Sequence, residues 1–330
     1  MFLTNKLLTI VIPVYNMEAY LEKTLSSVAL PEYEDKVEIL VVNDGSSDSS
    51  QNIINQYAKK YPRLIRAIHK DNGGWGTCIK LAIKEAQGKY FKVLDSDDWF
   101  NTTAFTEFVH LLEEQDVDLI LTPYTEINDT GDEKHFSFSK KLINKTWSIS
   151  QFIKNIKYKN SIFALAAITY RTSILSNENI TIGDKYYSDI DYDLQPLAFV
   201  KTLHILPCCL YFYYRAREAQ STSTDGYISH IDDYKNLLIR EIQFFTDKQK
   251  SLDHHLKKHI FNCILRQCKF YYKLCMSRSN KIQTKKLTSF DKYIQKTNLK
   301  IYLNLNLSCV KKIIPFIFIW RFFKINIYNF

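Results

Sequence analysis

The front part of the chain alternates short apolar runs with amphipathic stretches of helical period, a pattern that few folds can accommodate. Strands are predicted at Leu8–Val14, Val37–Val42, Leu64–Ile68, Tyr90–Leu94 and Asp118–Tyr124. Helices are predicted at Glu18–Val28, Ser47–Lys60, Trp75–Ala86 and Thr102–Glu114. Apolar strands separated by helices of this length are typical of βαβ units around a parallel sheet. The sequence therefore predicts an α/β fold with a mostly parallel central sheet flanked by helices.

Polar side chains concentrate at the points where the predicted strands end. Tyr15 follows the first strand, Asp44 the second, Asn72 and Gly73 come after the third, and Asp95 follows the fourth. In a parallel α/β sheet, ligands bind outside the carboxyl ends of the strands. Polar residues follow four consecutive predicted strands. The sequence therefore predicts a ligand site at the carboxyl-end rim of the sheet.

The fourth strand delivers three carboxylates within four residues, Asp95, Asp97 and Asp98, with Ser96 between the first two. Each close pair repels by roughly 1 kcal/mol even in water. A cation relieves this repulsion, and Mg²⁺ or Mn²⁺ suits carboxylate oxygens while sharing the rest of its shell with phosphate. The alternative is a solvated turn in which Asp97 or Asp98 caps the next helix.

Two loops between strands and helices have residues suited to a nucleotide. Asp44, in the segment VVNDGSSDSS, can accept hydrogen bonds from a nucleobase or a ribose, or it can form an Asx-turn into the helix. The segment KDNGGWG, with Asn72 and Gly73, offers flexible backbone and N–H groups near a helix start, which suit an anion. Its glycine spacing differs from the dinucleotide-binding fingerprint.

A second acidic cluster lies in YYSDIDYDLQPL, where Asp189, Asp191 and Asp193 come near a predicted helix start. A carboxylate there can act as a general base, although acidic residues in a first helical turn are also favoured by the helix dipole. Downstream, Arg215, Gln220 and Ser221 can bind phosphate or sugar hydroxyls, or can form a surface turn.

Charge divides the chain into two parts. Residues 230–330 contain 20 lysines and arginines against 6 acidic residues, a net charge of +14, whereas the whole chain carries +9. We expect two regions, an α/β domain over residues 1–225 and a basic, aromatic helical region over 226–330. The latter suits a helix in an anionic membrane interface, or helices that pack on the α/β domain and leave a solvated basic face. Lys311, Lys312, Trp320, Arg321 and Lys324 exemplify its composition.

The bulk composition restricts location and metal chemistry. The seven cysteines include no CxxC pair, so we expect reduced thiols of a cytoplasmic protein. The first apolar run lacks a cleavage-like site and is interpreted as a core strand, and no stretch has about 18 uninterrupted apolar residues, so a spanning helix is not expected. His254, His255 and His259 are interpreted as a polar helix face rather than as a metal site.

These segments in this order resemble family 2 glycosyltransferases, which have the GT-A fold. The resemblance covers about residues 7–224 and rests on the ordered set rather than on one motif. It implies an inverting enzyme that transfers a sugar from a nucleotide donor, usually UDP-linked, with Mn²⁺ or Mg²⁺. The segments that carry it are TIVIPVYNMEAYLEKTLSSV, VEILVVNDGSSDSS, DNGGWG, GKYFKVLDSDDW, YYSDIDYDL and YYRAREAQST.

The resemblance also implies roles for single residues. Asp44 matches the position that contacts uracil, with Pro13, Val14 and Tyr15 lining base and ribose. Asp95 and Asp97 match the DxD pair, with Asp97 on the metal and Asp95 or Asp98 near ribose and donor sugar. Asp189 matches the catalytic base, but the acid that usually precedes it is Ser188 here, which leaves Asp191 as a competing candidate.

Further positions match less closely. Many relatives have an arginine shortly after the NGG segment, where this chain has Ile79 and Lys80, so Lys80 is a candidate phosphate contact. Arg215, Gln220 and Ser221 match a region that closes over donor or acceptor.

The predicted function is a peripheral enzyme on the inner face of the cell membrane that builds a surface polysaccharide or glycolipid on a saccharide or lipid-linked acceptor. No nucleic-acid partner is expected. One alternative is a sugar-nucleotide pyrophosphorylase. Such an enzyme has a Gly-rich signature just after its first strand, and the segment PVYNMEAY at that place lacks it. The other alternative is a non-enzymatic basic protein that binds membrane or nucleic acid.

Overall fold

A computed structural model describes residues 6–156, 162–215, 224–277, 281–306 and 316–323. The chain forms two units, Met1–Glu218 and Ala219–Phe330. This division falls a few residues before the boundary expected between residues 225 and 226. The first unit contains the sheets and the second unit contains helices.

The strands of the described residues are numbered along the chain. They are β1 (Lys6–Val14), β2 (Val37–Asp44), β3 (Ile65–Lys70), β4 (Gly88–Val93), β5 (Trp99–Phe100), β6 (Leu119–Leu121), β7 (Tyr124–Ile127), β8 (Glu133–Phe136), β9 (Thr146–Ser148), β10 (Ile168–Arg171), β11 (Thr202–Ile205) and β12 (Tyr211–Tyr214). Eight of them form one sheet in the order β3-β2-β1-β4-β10-β6-β11-β9, and four form a second sheet in the order β5-β12-β7-β8.

Helices connect these strands in the first unit. They are α1 (Leu21–Val28), α2 (Ser50–Lys60), α3 (Trp75–Glu85), α4 (Thr102–Glu113), α5 (Ile149–Asn155), α6 (Thr172–Leu175) and α7 (Ser188–Leu194). Short 3-10 turns occupy Pro31–Tyr33 and Gln195–Ala198. The alternation of strands and helices confirms the predicted α/β fold.

The core forms because β1 is buried on both faces, as continuous apolar strands of parallel sheets usually are. Leu8, Ile10 and Ile12 alternate onto one face of the sheet, where they belong to the same buried cluster as Leu25 of α1 and Phe108 of α4. Fully burying each such side chain contributes about 1.5–3 kcal/mol. Two helices therefore hold the centre of the sheet in place.

The strand order reverses direction at β1 and β4, whose carboxyl ends lie side by side. β1 pairs with β2 and β4 in parallel, and β2 pairs with β3 in parallel, so the chain moves outward to β3 and then returns to the other side of β1. Such a reversal is where open α/β sheets bind ligands. The sheet is only mostly parallel, because β10 runs antiparallel to β4 and β6, and β9 antiparallel to β11.

The second unit consists of helices in its described residues. They are α8 (Thr224–Ser229), α9 (Ile231–Lys248), α10 (His254–Ser277), α11 (Lys281–Thr297), α12 (Leu299–Asn306) and α13 (Phe316–Phe323). Arg321 of α13 is buried and forms an ion pair with Asp291 of α11 at 2.6 Å, while its guanidinium also donates to the carbonyl of Tyr302. None of the described helices has the length and apolar composition needed to cross a bilayer.

Candidate active site

Asp44 occupies the carboxyl end of β2, and its side chain organises the loop that follows β3. Oδ1 accepts a hydrogen bond from the N–H of Gly73 at 2.9 Å, and Oδ2 accepts one from the N–H of Gly74 at 2.7 Å. Lys70 donates to Oδ1 as well. Burial acts to raise the pKa of Asp44, but these hydrogen bonds outweigh it and hold the pKa below its ordinary value. Asp44 is therefore an ionised carboxylate at the rim.

The same loop reaches the acidic segment after β4. The loop comprises residues 70–76, from the last residue of β3 to the first two residues of α3. Trp75 Nε1 donates a hydrogen bond to Oδ1 of Asp95 at 2.9 Å. Neighbouring strands lie about 4.8 Å apart, so the ends of β2 and β4, on either side of β1, are separated by about 10 Å. One loop thus contacts both Asp44 and Asp95, and the structure brings these two predicted site residues to the same end of the sheet.

The acidic segment itself is fixed to the protein through its main chain. Thr24 Oγ1 of α1 donates to the carbonyls of Ser96 at 3.0 Å and Asp98 at 2.7 Å. Asp95 and Asp97 are half-buried, whereas Ser96 and Asp98 are buried. Asp95 and Asp97 therefore alternate to the accessible side of the segment.

Asp98 lies on the inner side of this segment and is bound by protein groups. Its Oδ2 accepts a hydrogen bond from the hydroxyl of Tyr211 at 2.6 Å, and its Oδ1 accepts one from the N–H of Tyr214 at 2.7 Å. Burial, and then the charges of Asp97 and Asp95, raise its pKa well above the ordinary value. The geometry gives Asp98 a role in fixing β12 against the acidic segment, and its direct contact with a donor stays a prediction.

Helix α7 presents the second acidic cluster. Asp189 is solvent-exposed in its first turn. Asp191 is fully buried and accepts hydrogen bonds from the N–H of Gly183 at 2.9 Å and from Nε2 of Gln195 at 3.3 Å. Of the two predicted candidates for a base, Asp189 is the one that a substrate can reach.

Asp189 exposes part of its surface, but protein atoms surround its carboxyl group. Loss of water around the carboxyl raises its pKa to about 6, with a smaller contribution from the charge of Asp191. Burial also raises the pKa of Asp193, and the charges of Asp189 and Asp95 raise it further. Charges that act on one carboxyl must be near it, so α7 and the segment after β4 share one electrostatic environment.

Two glycines allow the segment before α7 to approach the loop after β3. A Cβ atom on Gly76 would lie 1.7 Å from the carbonyl oxygen of Gly183, and one on Gly74 would lie 2.6 Å from that of Asp184. The N–H of Gly76 donates to the Asp184 carbonyl at 2.9 Å. Gly74 also has φ +94°, a conformation that favours glycine. The loop that binds Asp44 and Asp95 therefore also positions α7.

The helix begins at a residue with an unusual backbone conformation. Tyr187, directly before α7, has φ 66° and ψ 12°, which is the left-handed region and uncommon for a bulky side chain. Conformations of this kind cluster at functional sites, where surrounding contacts enforce them. At this position the conformation sets the direction in which Asp189 emerges.

The other predicted site residues are placed as follows. Pro13 and Val14 are buried within β1, and Tyr15, just beyond its end, is 49% exposed. Asn72 is exposed on the loop, and the N–H of Gly73 is bound to Asp44. Gln220 and Ser221 lie outside the described residues.

Two predicted cations have acidic partners. Lys80 of α3 forms an ion pair with Asp184. Arg215 lies directly after β12 and its side chain is 3.4 Å from Glu126. Both side chains are partly exposed, and such pairs contribute little to stability, so both remain available to a ligand that competes for them. Their predicted contacts with donor or acceptor stay predictions.

The structure adds three residues to the site that the sequence did not single out. Trp75 binds Asp95, Lys70 binds Asp44, and Tyr211 binds both Asp98 and the N–H of Asp95, the latter at 3.1 Å. Trp75 lies in the NGGWG segment and Lys70 directly precedes it, so proximity to the glycines was the available signal. Tyr211 is one of several aromatic residues in LYFYY, and nothing in that run marks it.

Comparison with known proteins finds a family and several relatives to which this chain is similar. The family model described as glycosyl transferase family 2 matches residues 9–176. The "uncharacterized glycosyltransferase MG025 homolog" of Mycoplasma pneumoniae is 41% identical over 102 residues, which are 30% of this chain and 34% of that protein. The poly(ribitol-phosphate) beta-N-acetylglucosaminyltransferase TarS of Staphylococcus aureus is 23% identical over 241 residues, which are 72% of this chain and 40% of TarS.

A solved structure supports the fold over a larger part of the chain. Staphylococcus aureus TarS 1-349, in complex with UDP-GlcNAc, superposes with a TM-score of 0.63 at 17% sequence identity. The superposition covers 91% of this chain and 85% of that one. By contrast, the chain matches only 34% to 60% of the length of the first curated relatives.

Proposed function

We propose that this chain, which belongs to glycosyl transferase family 2, moves a sugar from a UDP-linked donor to an acceptor hydroxyl with inversion at the anomeric carbon. Membership of the family follows from the family model, and the GT-A fold from the likeness to TarS 1-349. The complex of TarS with UDP-GlcNAc supports a nucleotide-sugar donor for this chain. The UDP donor, the inversion, the metal and the acceptor are the proposed parts. A surface polysaccharide or glycolipid is the proposed product.

One observation carries the proposal. The loop of residues 70–76 contacts Asp44, Asp95 and the segment before α7, which supports a single site formed by Asp44, the pair Asp95 and Asp97, and Asp189. A nucleotide sugar needs each of these three functions, at its base, its diphosphate and its anomeric carbon. Their convergence from distant parts of the sequence supports the proposal more than any single motif.

The nucleotide is proposed to bind at the ends of β1 and β2. Asp44 is ionised and one of its oxygens holds two donors, whereas the other holds the N–H of Gly74. Only 4% of its side chain is exposed, so a pyrimidine N–H would bind there by replacing the ammonium of Lys70. Exposed Tyr15, following buried Pro13 and Val14, supplies an aromatic surface beside it.

Asp189 is proposed as the general base. It accepts the proton of the acceptor hydroxyl while that oxygen attacks the anomeric carbon and the bond to the UDP phosphate oxygen breaks. In a single displacement the nucleophile and the leaving group lie on opposite faces of the sugar, so the configuration inverts. Asp191 is fully buried and bound to Gly183 and Gln195, which supports a positioning role for it.

The residues after β4 fit a divalent cation. Mg²⁺ usually binds one or two carboxylates and completes its shell with water and substrate phosphates, and Asp95 and Asp97 supply two. Within the described ranges no set of three or more His, Cys, Asp or Glu side chains is arranged to hold a metal without substrate. When bound, Mn²⁺ or Mg²⁺ would neutralise the charge that develops on the departing diphosphate.

The pKa of Asp189 gives a pH prediction. A base with a pKa of about 6 is protonated and inactive below that value, so kcat/KM is expected to fall about tenfold per pH unit below pH 6 and to level off above pH 7. Initial rates between pH 4.5 and 8.5, with thermal unfolding measured at each pH as a control, check this. A pH-independent rate across this range in a folded enzyme would contradict the assignment.

The acceptor end of the proposal is a lipid-linked or saccharide hydroxyl at the inner face of the cell membrane. The second unit exposes apolar side chains on two helices, with Leu299 58% and Leu303 53% exposed on α12, and Phe318 38% and Phe322 66% exposed on α13. Lys292, Lys296 and Lys300 are exposed on α11 and α12. Apolar side chains with neighbouring lysines support peripheral binding to anionic lipid. Lys311, Lys312 and Lys324 lie outside the described residues.

A vesicle experiment tests this surface. The protein is expected to co-sediment with phosphatidylglycerol vesicles at 50 mM salt, less at 500 mM salt, and not with phosphatidylcholine vesicles. The double variant Leu299→Asp/Leu303→Asp should lower the bound fraction about tenfold or more, because each leucine loses its apolar transfer energy. Binding that is equal on both lipids, or that an RNA oligonucleotide outcompetes, would contradict the proposal.

A donor panel tests the proposed function. The enzyme, with Mn²⁺ or Mg²⁺, is incubated with UDP-, GDP- and dTDP-linked sugars, and release of the nucleoside diphosphate is measured with and without candidate acceptors. We expect turnover of a UDP-sugar. Exclusive turnover of a GDP- or dTDP-sugar would contradict the donor assignment, and no turnover of any of them would contradict the function.

A further inference from the structure

Lys92 is a buried cation in β4, three residues before Asp95. The residue has 0% exposure, and its ammonium group donates hydrogen bonds to the carbonyls of Ala166 and Ile168, both at 3.1 Å. These carbonyls belong to β10 and the segment before it. The proposed mechanism gives this lysine no part.

The ammonium group also faces two aromatic rings of the second sheet. It lies 5.5 Å from the ring centroid of Tyr211 and 5.9 Å from that of Phe100. Both distances are within the range of a cation–π attraction, which strengthens when the groups are desolvated. The ammonium of Lys92 therefore attracts the ring of Tyr211.

The hydroxyl of Tyr211 acts on the acidic segment. It accepts from the N–H of Asp95 at 3.1 Å and donates to Oδ2 of Asp98 at 2.6 Å. A continuous path thus runs from Lys92 through Tyr211 to both ends of the segment Asp95–Asp98. All of its members except Asp95 are buried.

Packing alone does not explain a lysine at this position. Removing an ammonium group from water costs several kcal/mol, and apolar residues of similar volume often replace buried charges without loss of stability. Burial lowers the pKa of Lys92 to about 7, and the two ionisable groups near it, the buried Cys208 thiol and the Asp193 carboxyl, oppose this shift only in part. The buried ammonium of Lys92 is therefore better explained by a role toward the neighbouring Asp95–Asp98 segment than by packing.

We propose that Lys92 is a positioning residue that fixes the Asp95–Asp98 segment through Tyr211. The effect of this positioning on catalysis rests on the function proposed above, whereas the positioning itself does not. Its ammonium orients the Tyr211 ring, and the Tyr211 hydroxyl then holds the main chain of Asp95 and the side chain of Asp98. Asp95 and Asp97 are thereby directed to the donor before it binds.

The experiment compares Lys92→Met, which keeps the length and removes the charge, with Lys89→Met as the matched control. Lys89 lies on the same strand, but its ammonium binds Asp116 at 3.1 Å and the carbonyl of Gln115, remote from the acidic segment. Amide hydrogen exchange of the peptide that spans Asp95 to Phe100 is measured without any ligand. We expect at least about tenfold faster exchange in Lys92→Met and no change in Lys89→Met.

Kinetics provide the second readout. With a UDP-sugar, Lys92→Met should lower kcat about 10- to 100-fold, with KM changed less, because a small displacement of the segment affects the reacting geometry more than ground-state binding. Lys92→Arg should recover part of the loss. Because the two groups act as a unit, the double variant Lys92→Met/Tyr211→Phe should lose little more than the worse single variant.

The outcomes separate the inference from the proposed function. Unchanged exchange in a folded Lys92→Met variant would overturn the positioning role, whereas faster exchange in a chain without any transferase activity would leave it in place and contradict only the function. Multiplicative losses in the double variant would overturn the path through Tyr211. If Lys92→Met does not fold, Lys92→Gln replaces it, since an amide still donates hydrogen bonds but carries no charge.

Discussion

Replacement of Asp189 by asparagine is expected to lower kcat by about 1,000-fold or more while the thermal unfolding temperature stays within about 2 °C of the wild-type value. The amide cannot accept the proton of the acceptor hydroxyl. The carboxyl accepts hydrogen bonds from the N–H groups of Asp189 and Ile190 at the start of α7, and an amide oxygen accepts the same bonds, so the fold is kept. Rates are measured by release of UDP in the presence of acceptor, and unfolding by circular dichroism.

Two further variants make this result interpretable. Glu178→Gln removes an exposed acid from the segment before α7 and should keep wild-type activity. Asp191→Asn replaces a fully buried acceptor of two hydrogen bonds, so we expect it to lower the unfolding temperature by several degrees, since disturbing such a group costs about 1–3 kcal/mol. If Asp189→Asn kept near-normal turnover and a stable Asp191→Asn lost it, Asp191 would be the base.

Replacement of Asp97 by asparagine is expected to lower transfer by at least about 100-fold and to abolish metal-dependent binding of UDP. In the wild-type protein, UDP should raise the unfolding temperature in Mn²⁺ or Mg²⁺ but not in EDTA. In Asp97→Asn, UDP should give no shift under either condition, because one carboxylate of the pair no longer carries charge. Asp129→Asn, an exposed acid in the loop between β7 and β8, serves as the control.

The metal role has a clear contrary result. An equal stabilisation by UDP in EDTA and in Mn²⁺ would show that the diphosphate binds without a cation. Retention of full activity in Asp97→Asn would show that the pair Asp95 and Asp97 is not the donor-side metal site.

The central fold could be predicted because its signals are local. The buried runs that form β1, β2 and β4 are continuous and apolar, and helical patterns separate them. Parallel pairing then places their ends together without any further information. The antiparallel direction of β10 could not be predicted, because direction depends on how the chain returns across the sheet and not on the composition of four residues.

The site was predictable only to the extent that strand ends define it. Asp44 and Asp95 follow β2 and β4 directly, so their convergence follows from the sheet. The different environments of Asp98, Asp189 and Asp191 arise from tertiary contacts with Tyr211 and Gly183, which no local pattern encodes. Lys92 did interrupt an apolar run, GKYFKVL, and a charge at an inward position was the one available signal for it.

A crystal structure with UDP and Mn²⁺ tests the central claim most directly. We expect the uracil beside Asp44 and Tyr15, the diphosphate and the metal at Asp97, and the carboxyl of Asp189 facing the position of the anomeric carbon from the opposite side. Nucleotide bound elsewhere on the protein, or a metal held by residues other than Asp95 and Asp97, would contradict the account.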